Sequence, residues 1–292
     1  MKTYVIYNKK SNNGDGKHGA EPLAELWKDK KPVFLSCYDI ILKDFFAQLD
    51  PGDEVCICGG DGTLNYLINH VDCDNLKNTV YYYPTGSGND FWTDLNKKPG
   101  DAPEKINAYL TNLPTVTVKG QTSKFINGIG YGIDGYCCEE GDRQREHSDK
   151  PINYTSIAIK GLLFHYKPTN AEVEVDGERF TFKKVWLAPT MKGRFYGGGM
   201  MATPHQDRLD PKHKVTCMVM NGKGKIVTLI AFPSIFKGEH VKKTKLVHVM
   251  KGEHIKVRFD RPVALQIDGE TVLNVTEYTI SVACRDGNVT AT

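Results

Sequence analysis

The run Val55-Cys56-Ile57-Cys58 leads without a break into Gly59-Gly60-Asp61-Gly62-Thr63-Leu64-Asn65, and a helix-like pattern opens near Thr63. A short apolar run that ends in glycines reads as a buried strand. Glycines there let the backbone come close to a ligand, and the free N–H groups of a helix start suit phosphate oxygens. Open parallel sheets place their ligands at this edge, beyond the carboxyl ends of the strands. Gly59, Gly60, Asp61, Gly62, Thr63 and Asn65 are therefore candidate nucleotide-binding residues. A strand-to-helix turn with Asp61 as its cap is the plainer alternative. Asp61 is the odd member, because a carboxylate repels phosphate unless a cation stands between them. Magnesium, which takes few carboxylates and keeps several waters, meets that need.

Two further loops repeat the pattern. Asn8-Lys9-Lys10-Ser11-Asn12-Asn13-Gly14-Asp15-Gly16 follows the apolar run from Tyr4 to Tyr7 and adds Asn8 and Ser11. Pro84-Thr85-Gly86-Ser87-Gly88-Asn89-Asp90-Phe91 follows the run from Val80 to Tyr83. It adds Gly86, Ser87, Gly88 and Asn89 for phosphate, and Asp90 as a second carboxylate holding magnesium through water. Helix-like stretches at about 20–28 and 39–49, and a strand at Val33 to Leu35, fall between these loops. Strands alternating with helices indicate βαβ units around a parallel sheet.

Beyond about Val116 the character changes. Strand-like runs meet at Asp176-Gly177, Asn221-Gly222 and Asp268-Gly269, each a hairpin signal because these residues accept the positive φ of tight turns. Glu172-Val173-Glu174-Val175 alternates as a half-solvated antiparallel strand does. Helix patterns run from Ile152 to His165 and from Lys225 to Phe236. The expected class is α/β: a parallel three-layer nucleotide-binding domain over 1–118, then a mostly antiparallel β domain over 119–292. The last residues are free to return to the first domain.

The net charge of +3 on 292 residues gives no reason to expect a nucleic-acid partner. The eight cysteines show no metal-site spacing and read as reduced core thiols of a cytoplasmic protein. Met1 to Tyr7 runs straight into a strand, unlike a signal peptide, and no apolar run is long enough to span a bilayer. Any membrane contact is expected to be peripheral and transient, at the inner surface. Oligomeric state is not readable, and a homodimer is allowed.

Gly59 to Asn65 together with Pro84-x-Gly86-Ser87-Gly88-Asn89-Asp90-Phe91 resembles the diacylglycerol kinase catalytic-domain family, in its bacterial lipid-kinase branch, related to sphingosine kinases. The first motif is shared with NAD kinases; the pair of motifs marks lipid kinases. The resemblance extends to nearly the whole chain. It implies transfer of the γ-phosphoryl group of ATP, with Mg2+, to a lipid hydroxyl at a membrane surface, diacylglycerol first among acceptors. It also implies that Asp268-Gly269-Glu270 carries the general base, Glu270, and that Lys160 stands on a helix beside the cleft. Phe195-Tyr196 and Met200-Met201 are candidates for an apolar acceptor entrance. Two departures stand out. Where the family has a Val-Asp-(Ile/Leu)-Gly segment, Thr115 to Gly120 has no aspartate. Where it has an acidic metal loop, Asp207-Arg208-Leu209-Asp210-Pro211-Lys212 has lost one carboxylate to Pro211. A nucleotide-binding member without catalysis and an NAD kinase-like enzyme are the competing readings.

Overall fold

The structure, a computed structural model, describes residues 1–86, 88–147, 152–222 and 224–282. Its first sheet runs in the order β2 (Val33–Ser36), β1 (Thr3–Tyr7), β3 (Glu54–Gly59), β4 (Thr79–Pro84) and β5 (Glu104–Lys105). All pairs are parallel except the short edge strand β5. Side chains alternate between faces with the two-residue period of a strand. Val5, Cys56 and Cys58 pack with Ala20 and Leu23 on one side. Ile6, Val55 and Ile57 pack with Leu42, Phe46, Leu64 and Leu67 on the other.

The first covering layer comes from α1 (Ser11–Gly14), α2 (Gly16–Ala20) and α3 (Pro22–Leu26). The other comes from α4 (Leu42–Ala47), α5 (Asp61–His70), α6 (Asp90–Asp94) and α7 (Asn107–Leu110). The stretch after β1 is therefore not the open loop expected from its composition. Both the amide and the hydroxyl of Ser11 donate to the Asn8 carbonyl, and this starts a turn that continues as short helices.

The second sheet has ten strands and is antiparallel. Its order is β7 (Gln121–Lys124), β6 (Thr115–Val118), β17 (Glu270–Ser281), β16 (His254–Ile267), β8 (Gly128–Tyr131), β11 (Thr190–Met191), β14 (Val215–Asn221), β10 (Glu178–Leu187) and β9 (Thr169–Val175). β15 (Val247–Gly252) pairs with β14, and β9 pairs again with the long β16, closing the sheet on itself. β12 (Phe195–Tyr196) and β13 (Met200–Met201) form a separate small hairpin. The change of sheet falls between α7 and β6, ahead of residue 118, because β6 pairs with β17 and β7.

Asp176-Gly177 and Asp268-Gly269 close the β9–β10 and β16–β17 hairpins, with φ of +50° and +47° at the aspartates. Asn221-Gly222 makes no hairpin; it leads into α10 (Lys225–Ala231), which stops at a 3-10 turn over Phe232–Ile235. α9 (Tyr154–Lys160) passes into a π turn over Gly161–His165.

A further helix, α8 (Ile133–Arg145), has no counterpart in the sequence expectations. Its glycines are contact points. A Cβ on Gly135 would collide with the Ala264 carbonyl, and one on Gly141 would lie 2.8 Å from the Tyr154 ring.

Candidate active site

The glycine loops after β3 and β4 lie backbone against backbone. A Cβ on Gly86 would stand 2.5 Å from the Gly60 Cα, so only glycine lets the loops approach this closely. The Asp61 amide donates to the Gly88 carbonyl at 3.2 Å, and the Thr85 and Gly86 amides donate to the Gly59 carbonyl at 3.0 and 3.3 Å. The loop after β1 joins them. Asn8 Nδ2 donates to Thr63 Oγ1 at 3.0 Å, and Ser11 Oγ lies 3.2 Å from Thr85 Oγ1. Asn8, Ser11 and Thr63 thus knit the loops together through their side chains. Gly60, Gly62, Gly86 and Gly88 offer backbone to the cleft. Ser87 lies outside the described residues. Asn89 donates to the Gly86 carbonyl at 2.7 Å, while its buried Oδ1 has no partner among the described residues.

The two aspartates expected to hold magnesium are mainly occupied with the backbone. Asp61 Oδ2 and Oδ1 accept the amides of Asp90 and Phe91 at 2.8 and 3.1 Å, tying α5 to the start of α6. Burial, then the neighbouring Asp90 carboxylate, pushes Asp61 up to about 7, against the pull of those amides and of Asn127. Asp90 accepts the amides of Gly198 and Gly199 at 2.9 and 2.7 Å, so it holds the glycine turn of the β12–β13 hairpin. Burial raises Asp90 as well, while those amides and Arg208 lower it. Each oxygen of the pair already accepts one N–H. The site therefore fits a hydrated cation placed against two close carboxylates better than a bare one.

Across the cleft, the β16–β17 hairpin separates its two carboxylates. Asp268 is buried and accepts four donors: the amides of Ile126, Asn127 and Gly128 at 2.7–2.9 Å, and Asn65 Nδ2 at 2.9 Å. Burial raises its pKa against these four donors. Asp268, expected in catalysis, and Asn65, expected on phosphate, are thus both engaged with the protein itself. The two residues form a tie between α5 and the second sheet, and no lone pair of Asp268 faces open solvent. Gln266 Oε1 accepts the Gly269 amide at 2.6 Å and sets the turn. Glu270 then projects, exposed, with a carboxylate oxygen 3.8 Å from where a Cβ on Gly62 would lie. Among the described residues its side chain has no hydrogen bond or ion pair. This places a free carboxylate over the first turn of α5.

One family model, the diacylglycerol kinase catalytic domain, matches residues 2–119. A second, the YegS C-terminal NAD kinase beta sandwich-like domain, matches residues 127–286, more than half of the chain. The chain belongs to the diacylglycerol kinase catalytic-domain family, in its bacterial lipid-kinase branch. A diacylglycerol kinase of Mycobacterium tuberculosis is 26% identical over 212 residues, 68% of this chain and 66% of its own. The Bacillus subtilis protein YtlR is 25% identical over 172 residues, 52% of this chain and 53% of its own. The chain thus spans about half to two thirds of the length of these curated relatives. A diacylglycerol kinase structure from Bacillus anthracis shares the fold, with a TM-score of 0.64 at 20% identity, covering 96% of this chain and 93% of that one.

Three further positions named in the sequence are now placed. Lys160 is exposed at the end of α9, and Gly161 after it packs on Tyr136. The Glu270 hairpin meets α8 further along, where Thr271 Oγ1 donates to Asp142 at 2.6 Å. Phe195 and Tyr196 are buried, so they form no entrance; Tyr196 donates its hydroxyl to buried Asp134 at 2.6 Å. Thr117, in the segment without the expected aspartate, sits on the β6–β7 hairpin with its hydroxyl 2.8 Å from that of Thr122.

A cluster that the motifs did not mark holds the two domains. Asp94, buried at the end of α6, pairs with Arg194 Nε at 2.6 Å and with Arg208 Nε. Arg208 also donates to the Ile126 carbonyl at 2.6 Å and to Asn127 Oδ1 at 2.5 Å, and lies over the Phe91 ring. In the same loop, Asp210 accepts Lys251 Nζ at 2.6 Å and the amide of Lys212 at 2.9 Å. An ammonium thus stands beside that carboxylate. Buried Lys192 lies behind this loop, its pKa lowered to about 8 by burial and by Arg208. The only sequence signal for the cluster was the basic residue at 208, where an acidic loop was expected.

Proposed function

We propose that the protein is an ATP-dependent lipid kinase, with diacylglycerol as its first acceptor and phosphatidic acid as product. The observation that carries this reading is the position of Glu270, a free carboxylate beside Gly62 at the open start of α5. Phosphoryl transfer rests on positioning and charge neutralisation more than on covalent chemistry. The backbone of Gly60, Gly62, Gly86 and Gly88 would seat the phosphates, and the α5 N-terminus favours their charge. The acceptor hydroxyl, held between Glu270 and the γ-phosphorus, gives its proton to Glu270. Its oxygen bonds to phosphorus as the bond to the β–γ bridging oxygen breaks, and ADP leaves. Asp61 and Asp90 would hold magnesium through water, and the ion, when bound, neutralises phosphate charge.

The test is incubation with γ-labelled ATP and a dispersed panel of diacylglycerol, monoacylglycerol, phosphatidylglycerol and sphingoid bases. A labelled lipid in the organic extract, strongest with diacylglycerol, is expected. No labelled lipid across the panel would overturn the kinase reading. Label confined to another acceptor would overturn only the choice of diacylglycerol.

A further inference from the structure

α10 buries Thr228 and Ala231 and packs Leu229 against the core, but turns Ile226, Val227 and Ile230 outward. Ile226 is 71% exposed, Ile230 75% and Val227 41%. Positions i, i+1 and i+4 share one face of a helix, so these three form a stripe. The π turn packs against α10 through Lys225 Nζ, which donates to the Leu163 carbonyl at 2.7 Å. This sets Phe164, 73% exposed, next to the stripe. Single exposed apolar residues need no explanation, but a contiguous group marks a contact surface.

The surroundings indicate the chemistry of what is contacted. Residues 222–245 contain six lysines and one acid, Glu239. Among the described residues, Lys225, Lys237, Lys242, Lys243 and Lys245 are exposed and none forms an ion pair. Lys160, at the end of α9, is likewise exposed and unpaired. Several lysines elsewhere are paired: Lys30 with Glu54, Lys97 with Glu104, Lys124 with Asp74, Lys251 with Asp210. An apolar stripe flanked by unmatched lysines is complementary to an anionic lipid surface, which takes the side chains below the headgroups and the ammonium groups among the phosphates.

We infer that the α10 face, with Ile226, Val227, Ile230 and Phe164 at its centre, docks the protein on an anionic bilayer. The inference rests on the lipid-kinase reading for its purpose, but vesicle binding itself is read without nucleotide or turnover. The full chain is sedimented with vesicles of phosphatidylcholine alone and of phosphatidylcholine mixed with phosphatidylglycerol. The native chain should partition onto the mixed vesicles and come off as salt is raised. I226E/I230E should lose ~10-fold or more of that partition, with thermal stability and ATP-induced stabilisation unchanged. Equal binding of native chain and variant, or no binding of the native chain, overturns the docking face. A native dimer that I226E/I230E converts to monomer also overturns it, since a second copy then covers the stripe. Labelled lipid formed from dispersed acceptor alongside failed vesicle binding removes the docking face and leaves the kinase standing.

Discussion

The Gly59–Asn65 loop and the Asp268–Glu270 hairpin face each other across the cleft and solve opposite problems. The loop turns glycine backbone towards the cleft, and the carboxylate within it, Asp61, looks inward to hold α6 by two amides. The hairpin presents a side chain, Glu270, and its other carboxylate, Asp268, is consumed by four donors. In both, a motif aspartate is a brace. The difference is what the brace leaves open: glycine backbone at the start of α5 in one case, a single carboxylate in the other.

Removing the hairpin brace should have the largest effect on stability. Asp268→Ala leaves three buried amides and Asn65 without an acceptor, and each unmet buried donor costs ~1–3 kcal/mol. A loss of about 4–6 kcal/mol in urea unfolding is expected; a loss under about 1 kcal/mol would remove the brace from the comparison.

Arg208→Met strips one cation from buried Asp94 behind the loop and should cost about 3–5 kcal/mol. In a double-mutant cycle, adding Asp94→Leu should recover part of that loss, because the stranded charge goes too. Additive losses would count against a shared network.

Asp134 has no such set of donors: among the described residues only the Tyr196 hydroxyl donates to it, and burial pushes it up to about 7. A carboxyl whose pKa is raised on folding favours the folded state at low pH. That contribution is full below about pH 4 and is lost as pH rises towards 7. The stability of the native chain relative to Asp134→Asn should therefore fall across that window, by on the order of 3 kcal/mol. A flat difference would mean that Asp134 is ionised throughout.

The smallest change is Gly86→Ala, whose Cβ would meet Gly60. It should cost ~1–3 kcal/mol of stability and, more tellingly, most of the stabilisation by ATP. Full retention of the ATP effect would detach this loop from nucleotide binding.

Which parts were legible in the sequence follows from how far apart the interacting residues lie. The glycine loops could be read because strand, glycines and helix start are contiguous. The Asp-Gly hairpins at 176 and 268 could be read because positive φ is a local demand. The braces could not. Asp61 meets the amide of Asp90 29 residues on, Asp90 meets Gly198 at a separation of 108, and Asp94 meets Arg208 at 114. A carboxylate accepting a distant backbone amide leaves no pattern at its own position. α8 was hidden for a related reason: Gly135 and Gly141 are demanded by Ala264 and Tyr154, not by their neighbours in sequence.

Glu270→Gln tests the division of labour most directly, with the initial rate of lipid labelling and the ATP-induced shift in Tm measured on the same preparation. The substitution removes a free, exposed carboxylate, so the fold and the ATP shift should match the native chain while the rate falls ~10²–10⁴-fold. A Glu270→Gln protein that labels lipid at the native rate would contradict the assignment of Glu270 as the group that takes the proton.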